Sequence, residues 1–251
     1  METKNKRLES MREQKHEVIS TEERIKSGIN GLDPLINGGL IRNSVTVVYG
    51  SPGAGKSVFC TEFLREGLKQ GEKVFYVSLE QDLDSFLREA DSLGFAEFRK
   101  QLNSNFIFTR MTGHDFKSFL SVELPKILEA RKGKQSRIVI DPLTPFLWEI
   151  RDHALQRNIL TDTFNMLHAF GTSVVTIERY GDLNKMEFSE ELAIPLYLSD
   201  TVILMSIVYD RNFYKKTITV IKMRFSSHSS DIHSLEITSN GIKVFENKPA
   251  F

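Results

Sequence analysis

The chain has 251 residues, enough for one large domain or two small ones and for a full hydrophobic core. Lys plus Arg and Asp plus Glu balance at 33 each, so no net field draws it toward nucleic acid, although a local basic patch stays open. One cysteine, Cys60, rules out an intramolecular disulfide, and no apolar stretch reaches bilayer length behind a charged N-terminus, so a cytoplasmic protein with no membrane contact is expected.

Residues 1–23, "METKNKRLESMREQKHEVISTEE", mix both charge signs with few apolar side chains and predict a partly helical arm; residues 24–251 then form one domain. "SGINGLDPLINGGL" carries Gly28, Gly31, Gly38 and Gly39 and predicts turns with a short helix. "NSVTVVYG" is a β-branched run read as a buried strand. It leads into "YGSPGAGKSVF", where Gly50, four residues, then Gly55, Lys56 and Ser57 match the Walker A spacing. Glycines let successive backbone amides turn inward around an anion, and the helix that follows adds its positive end. Ser51, Pro52, Gly53, Ala54, Gly55, Lys56, Ser57 and Val58 are therefore expected to cradle a nucleoside triphosphate. Lys56 serves the outer phosphates and the Ser57 hydroxyl a Mg²⁺ ion.

"KSVFCTEFLREGLK" continues as a helix, "KVFYVSLE" as a strand ending at Glu80, and "DLDSFLREADSLGF" as a helix. "NFIFTRM" predicts a third strand, and "FKSFLSVELPKILEARKGK" a helix disturbed at Pro125. "SRIVIDPL" ends a strand in Asp141, "ALQRNILTDTFNMLHAFG" has helical spacing up to Gly171, and "TSVVTIE" is the next strand. This alternation predicts an α/β fold, a mainly parallel sheet with helices on both faces. After about residue 200, "DTVILMSIVY", "KKTITVIKMRF", "HSLEITSN" and "IKVFE" follow without helices, with hairpin signals at Asp210-Arg211-Asn212 and Asn240-Gly241; these extend the sheet with antiparallel strands.

Glu80, Asp141 and Glu178 all fall at strand ends, where open α/β sheets bind ligands. Asp141 has the Walker B position and is expected to hold Mg²⁺ directly or through water. Glu80 is read as the carboxylate that orients and deprotonates the attacking water; a surface glutamate opening the next helix is the alternative. His228 and His233 lie five apart with no cysteine nearby, a poor match to a metal site. "YDRNFYKK" (Tyr209–Lys216) interleaves aromatics and cations at a hairpin tip, which suits a solvent-facing turn, a contact to a neighbouring subunit, or single-stranded DNA.

"SGINGLDPLINGGLIRNSVTVVYGSPGAGKS", "VSLEQ", "IVIDPLTPF", "TIERYGD", "YLSDTVILM", "ITVIKMRFSSH" and "LEITSNGIKVF" together resemble a KaiC-type domain of the RecA/RadA superfamily of P-loop ATPases, over residues 24–247. The resemblance implies a RecA-like three-layer fold and a slow, Mg²⁺-dependent ATPase acting as a nucleotide-responsive regulator, with an unidentified protein partner possible. It implies that Glu80 is the catalytic glutamate, with Gln81 where a second glutamate is usual, and that Ser92 contacts nucleotide. It further implies that Lys222, Met223, Arg224, Ser226 and His228 reach a neighbour's nucleotide across a subunit boundary, with Lys222 and Arg224 catalytic, in a homo-oligomer expected to be a six-membered ring. Phe225 stands where a glycine is usual. On the residues alone, a solvated strand face paired with an acid across the sheet also explains Lys222 and Arg224. Two other activities stay open: an accessory DNA-repair factor like a RadA paralogue, binding single strands, and a kinase that phosphorylates its own serine or threonine.

Overall fold

The computed structural model describes residues 23–111, 118–129, 136–179, 190–210 and 213–249. The predicted N-terminal arm and residues 180–189 lie outside them. Eleven strands appear among the described residues. Arg24–Ile25 (β1) and Leu40–Ile41 (β2) form a small antiparallel pair that the glycine-punctuated sequence did not suggest. Between them sits the expected short helix, a 3₁₀ turn at Asp33–Ile36.

The remaining strands are Val45–Gly50 (β3), Lys73–Ser78 (β4), Phe106–Arg110 (β5), Ser136–Asp141 (β6), Thr172–Glu178 (β7), Thr201–Asp210 (β8), Phe213–Met223 (β9), His233–Thr238 (β10) and Gly241–Pro249 (β11). They make one nine-stranded sheet in the order β11-β10-β9-β8-β3-β7-β6-β4-β5. Pairings from β8 through β5 are parallel, and β9, β10 and β11 extend the sheet antiparallel, as the change of rhythm after residue 200 predicts.

Helices are Lys56–Lys69 (α1), Leu83–Ser92 (α2), Glu97–Gln101 (α3), Leu124–Glu129 (α4), Thr144–Glu149 (α5), His153–Phe170 (α6) and Glu190–Leu198 (α7). Their boundaries follow local chemistry. The Asp82 carboxylate caps α2 by accepting from the Ser85 amide at 2.8 Å, and Asp152 caps α6 through the amides of Ala154 and Leu155. Gly171 ends α6 where a Cβ would come within 2.3 Å of the Ser136 carbonyl oxygen. The predicted disturbance near Pro125 takes the form of a π-helical turn, Phe119–Glu123, just ahead of α4.

Strand alternation divides the core between two faces. On β4, Val74 and Tyr76 pack with α1 residues Phe59, Phe63 and Leu64, whereas Phe75 and Val77 pack with Leu160, Phe164 and Leu167 of α6. Helices thus cover both faces of the parallel region, and the loops after β3, β4, β6 and β7 meet at one edge. No helix among the described residues is long and apolar enough to cross a membrane.

Candidate functional site

Strand β3 delivers the glycine loop to that edge. Gly50 lies so close to β8 that a Cβ would sit 1.8 Å from the Met205 carbonyl oxygen, so no other residue fits without backbone movement. Gly53 (φ +76°) and Gly55 (φ +106°) hold left-handed backbone on either side of Ala54, and α1 starts at Lys56. The first turn of α1 has amides with no intrahelical partner, an anion-binding arrangement. The Ser51 hydroxyl is buried in the loop without a hydrogen-bond partner. Lys56 is 4% exposed, and its ammonium donates to the carbonyls of Gly50 (3.0 Å) and Ser51 (2.9 Å) and to the Glu178 carboxylate (2.9 Å). Ser57 is half-buried beside it.

Three carboxylates stand in this region, of which Glu178 pairs directly with the lysine. Asp141, the last residue of β6, is buried, and its two oxygens accept from the hydroxyls of Tyr76 and Thr176. Glu178, the last residue of β7, is fixed by its own amide donating to the Thr144 hydroxyl at 2.7 Å. Glu80 lies two residues beyond β4 and is exposed. Partial burial, then the charges of Glu178 and Asp141, raise its carboxyl pKa against the opposing pull of Lys56. The three strand-end acids picked out from sequence therefore share one electrostatic site. Gln81 joins them indirectly: its side-chain amide donates to the Tyr76 oxygen at 3.1 Å, and the Tyr76 hydroxyl donates on to Asp141.

Sequence reasoning missed Tyr76, Thr176 and Lys216. Tyr76 and Thr176 are interior strand residues whose only signal is a hydroxyl in an otherwise apolar run. Lys216 was read as part of a hairpin, yet its ammonium donates to the Gly53 carbonyl, and burial followed by the Lys56 charge lowers its pKa. Beside it opens a groove of about 810 Å³ lined by Tyr214, Lys216, Leu235, Ile237 and Phe245 among others. Ile237 reaches the loop, lying within 2.5 Å of where a Gly55 Cβ would be.

The other predicted residues lie apart from this cluster. Ser92 ends α2, exposed, with its hydroxyl donating to the Glu89 carbonyl at 2.7 Å. Lys222 and Arg224 sit at the far end of the sheet: Lys222 pairs with Val202, and the Arg224 amide donates to the carbonyl of Asp200, which in turn bonds to Val45, the first residue of β3. At ~3.3 Å per residue, the length of β3 puts that end roughly 17 Å from the glycine loop. The Lys222 ammonium donates to the carbonyls of Leu196 (2.8 Å) and Tyr197 (3.2 Å), and Arg224 donates to Tyr197 at 2.8 Å. Both cations thus converge on the last turn of α7, where a helix end favours positive charge. Asp200 stands 3.8 Å from the Arg224 guanidinium and also accepts from the Val45 amide (2.9 Å) and bonds His168 (2.6 Å). Carbonyls and an acid of the same chain therefore offset the repulsion between the two cations. Met223 is buried; Ser226 accepts from Arg24 at 2.7 Å; the His228 ring bonds the Ser229 carbonyl at 2.9 Å. His233 is buried against the Ser229 hydroxyl at 2.8 Å, and no three His, Cys, Asp or Glu side chains among the described residues converge as metal ligands.

A family model described as "ATPase: KaiC" matches residues 25–249. The chain is 27% identical over 234 residues to the circadian clock oscillator protein KaiC of Parathermosynechococcus lividus, a match that covers 88% of this chain but 42% of that protein. It is 26% identical over 240 residues to a UPF0273 protein of Thermotoga maritima, covering 90% of this chain and 97% of the relative. Among solved structures, a KaiC-like protein from the hyperthermophilic archaeon Pyrococcus horikoshii OT3 superposes with a TM-score of 0.74 at 25% identity, over 89% of this chain and 99% of that one. The chain accordingly spans less than half the length of that KaiC relative and nearly the full length of the Thermotoga one. With the glycine loop, the strand-end acids and a nine-stranded RecA-like sheet in place, the chain belongs to the KaiC-like ATPase family.

Proposed function

We propose that the chain is an ATP-binding, Mg²⁺-dependent slow ATPase that works as a nucleotide-responsive oligomer of like copies. The observation that carries this reading is the convergence of the glycine loop, Lys56, Glu80, Asp141 and Glu178 at one sheet edge. The loop fits a polyphosphate: two left-handed glycines, an unpartnered Ser51 hydroxyl and the open first turn of α1 face the same place. Residues Ser51 to Val58 hold the phosphates, and Lys56 exchanges its present carbonyl and carboxylate partners for phosphate oxygens. Ser57 and Asp141 would hold Mg²⁺, which when bound neutralises charge on the phosphates. Glu80 takes the proton of the attacking water, and its raised pKa moves it toward the range where a general base works well. The groove beside Lys216 accepts the nucleoside.

Lys222 and Arg224 lie too far from the loop of their own chain to serve it, which supports a role at the site of a neighbour. Such a head-to-tail contact repeats into a closed ring, six copies being the number the family resemblance favours.

Phosphate release at saturating MgATP tests the assignment of Glu80. E80Q should lose about 100-fold or more of the rate while binding nucleotide as the parent does. Equal rates would remove Glu80 from its role.

A further inference from the structure

Phe225 follows Arg224 directly and has φ +59°, a left-handed conformation that a bulky side chain rarely adopts. Its side chain is 71% exposed, so no burial in its own chain repays the strain. The chain is held on both sides of it: the Arg224 amide donates to the Asp200 carbonyl, and the Ser226 hydroxyl accepts from Arg24 and donates to the Ser227 carbonyl. Tyr197, whose carbonyl receives both Lys222 and Arg224, is 67% exposed. Two exposed aromatics therefore flank two tethered cations at the end of the sheet opposite the glycine loop. Aromatic and arginine side chains are the residues that anchor protein interfaces, because they bury much area at a low entropic cost.

The charge of the two ends is complementary. Exposed Glu80, Asp82 and Asp84 stand at the glycine-loop end, with Glu178 and Asp141 behind them; Arg88 and Arg110 act on Asp82, Lys56 pairs with Glu178 and Lys216 rests on the loop, so the acids outnumber the cations by one. Lys222 and Arg224 stand at the other. One end of a copy thus offers what the other end of a second copy accepts, which is a heterologous contact.

We propose that Phe225, with Tyr197, is the aromatic anchor by which this end of one copy seats on the glycine-loop end of a second copy. The proposal rests on the oligomeric reading above and names the side chains that set the strength of the contact. A glycine at this position would satisfy the backbone; the ring serves the contact it makes in the assembly.

The test uses the full chain with Mg²⁺ and a non-hydrolysable ATP analogue, its subunit dissociation constant being measured by sedimentation equilibrium. Two variants, F225G and F225N, both accept left-handed backbone, so both keep the turn and lose the ring. Each should raise the subunit dissociation constant about tenfold or more, as removal of an interface anchor does. The melting temperature without nucleotide should be unchanged or higher, and the analogue affinity of dilute, dissociated chains should be unchanged. Parent-like assembly of either variant overturns the role of Phe225 while leaving the oligomer standing. A parent chain that stays monomeric with the analogue, at the highest soluble concentration, overturns the proposal and the oligomeric reading together.

Discussion

Gln81 makes a contact that a carboxylate in its place could not make. Its amide donates to the Tyr76 oxygen, which leaves the Tyr76 proton directed at Asp141. A glutamate there would compete with Asp141 for that single proton, and one acceptor would lose its partner in a buried setting. Q81E should therefore cost about 1–3 kcal/mol of unfolding free energy without nucleotide, and much less in a Y76F background. A double-mutant cycle by chemical denaturation reads the difference, and equal costs in both backgrounds would break the Gln81–Tyr76 link. Lys56, Ser57, Asp141 and Glu80 were legible in the sequence because their spacing reports local geometry, a loop before a helix or the last residue of an apolar strand. Tyr76 and Thr176 were not, because their hydrogen bonds to Asp141 depend on β4, β6 and β7 lying side by side in register, which no short stretch encodes.

Strand β9 shows how one element serves two places. Lys216, Ile218 and Val220 alternate on the α1 face, with Ile218 and Val220 in its core. Opposite Val202 and Ile203 the pairing slips by one residue, a bulge that reverses the alternation. Lys222 consequently points to the α7 face, where it meets the carbonyls of Leu196 and Tyr197. Lys222 and Arg224 thereby converge on a helix end of their own chain. Burial, then the neighbouring Arg224, lowers the Lys222 pKa to about 8, with Asp200 opposing. Lys222 is thus charged below that value and neutral above it. A phosphate bound at a neighbour's site would raise that pKa again, so if Lys222 acts there, turnover by the assembled protein should fall only at a pH above about 8, whereas K222R should hold its rate further because a guanidinium stays protonated. Initial rates across the alkaline range, with assembly monitored in parallel, check this; coincident profiles would exclude Lys222 from the charge requirement.

At the scale of the molecule, α1 is tied to the antiparallel end of the sheet by a buried acid. Glu62 accepts from the Ile242 amide at 3.0 Å, and a Cβ at Gly241 would fall 1.8 Å from its other oxygen, so the β10–β11 turn closes directly onto the helix. Burial raises the Glu62 pKa from 4.5 to about 7, against the pull of that amide, Arg65 and Lys69. Between those two values the folded chain keeps a proton that the unfolded chain releases. Stability therefore falls as pH rises across the window and levels off above about 7. The parent should lose on the order of 2–3 kcal/mol from this group by pH 8, and E62Q should flatten the slope. Denaturant titrations at several pH values decide it; an unchanged slope in E62Q would assign the dependence to other groups.

The sequence by itself determined the layer architecture, the glycine loop and the three strand-end acids, because period, glycine placement and strand-terminal charge act over a few residues. The tertiary structure decided everything that depends on which strands are neighbours: the Gln81–Tyr76–Asp141 chain, the lysine of a distant hairpin resting on the glycine loop, and the bulge that turns Lys222 to the opposite face. It also settled the backbone at Phe225, which keeps the left-handed turn that a glycine would take more easily. Contacts between residues far apart in the chain follow from sheet order and register, and those emerge only when the whole core packs at once.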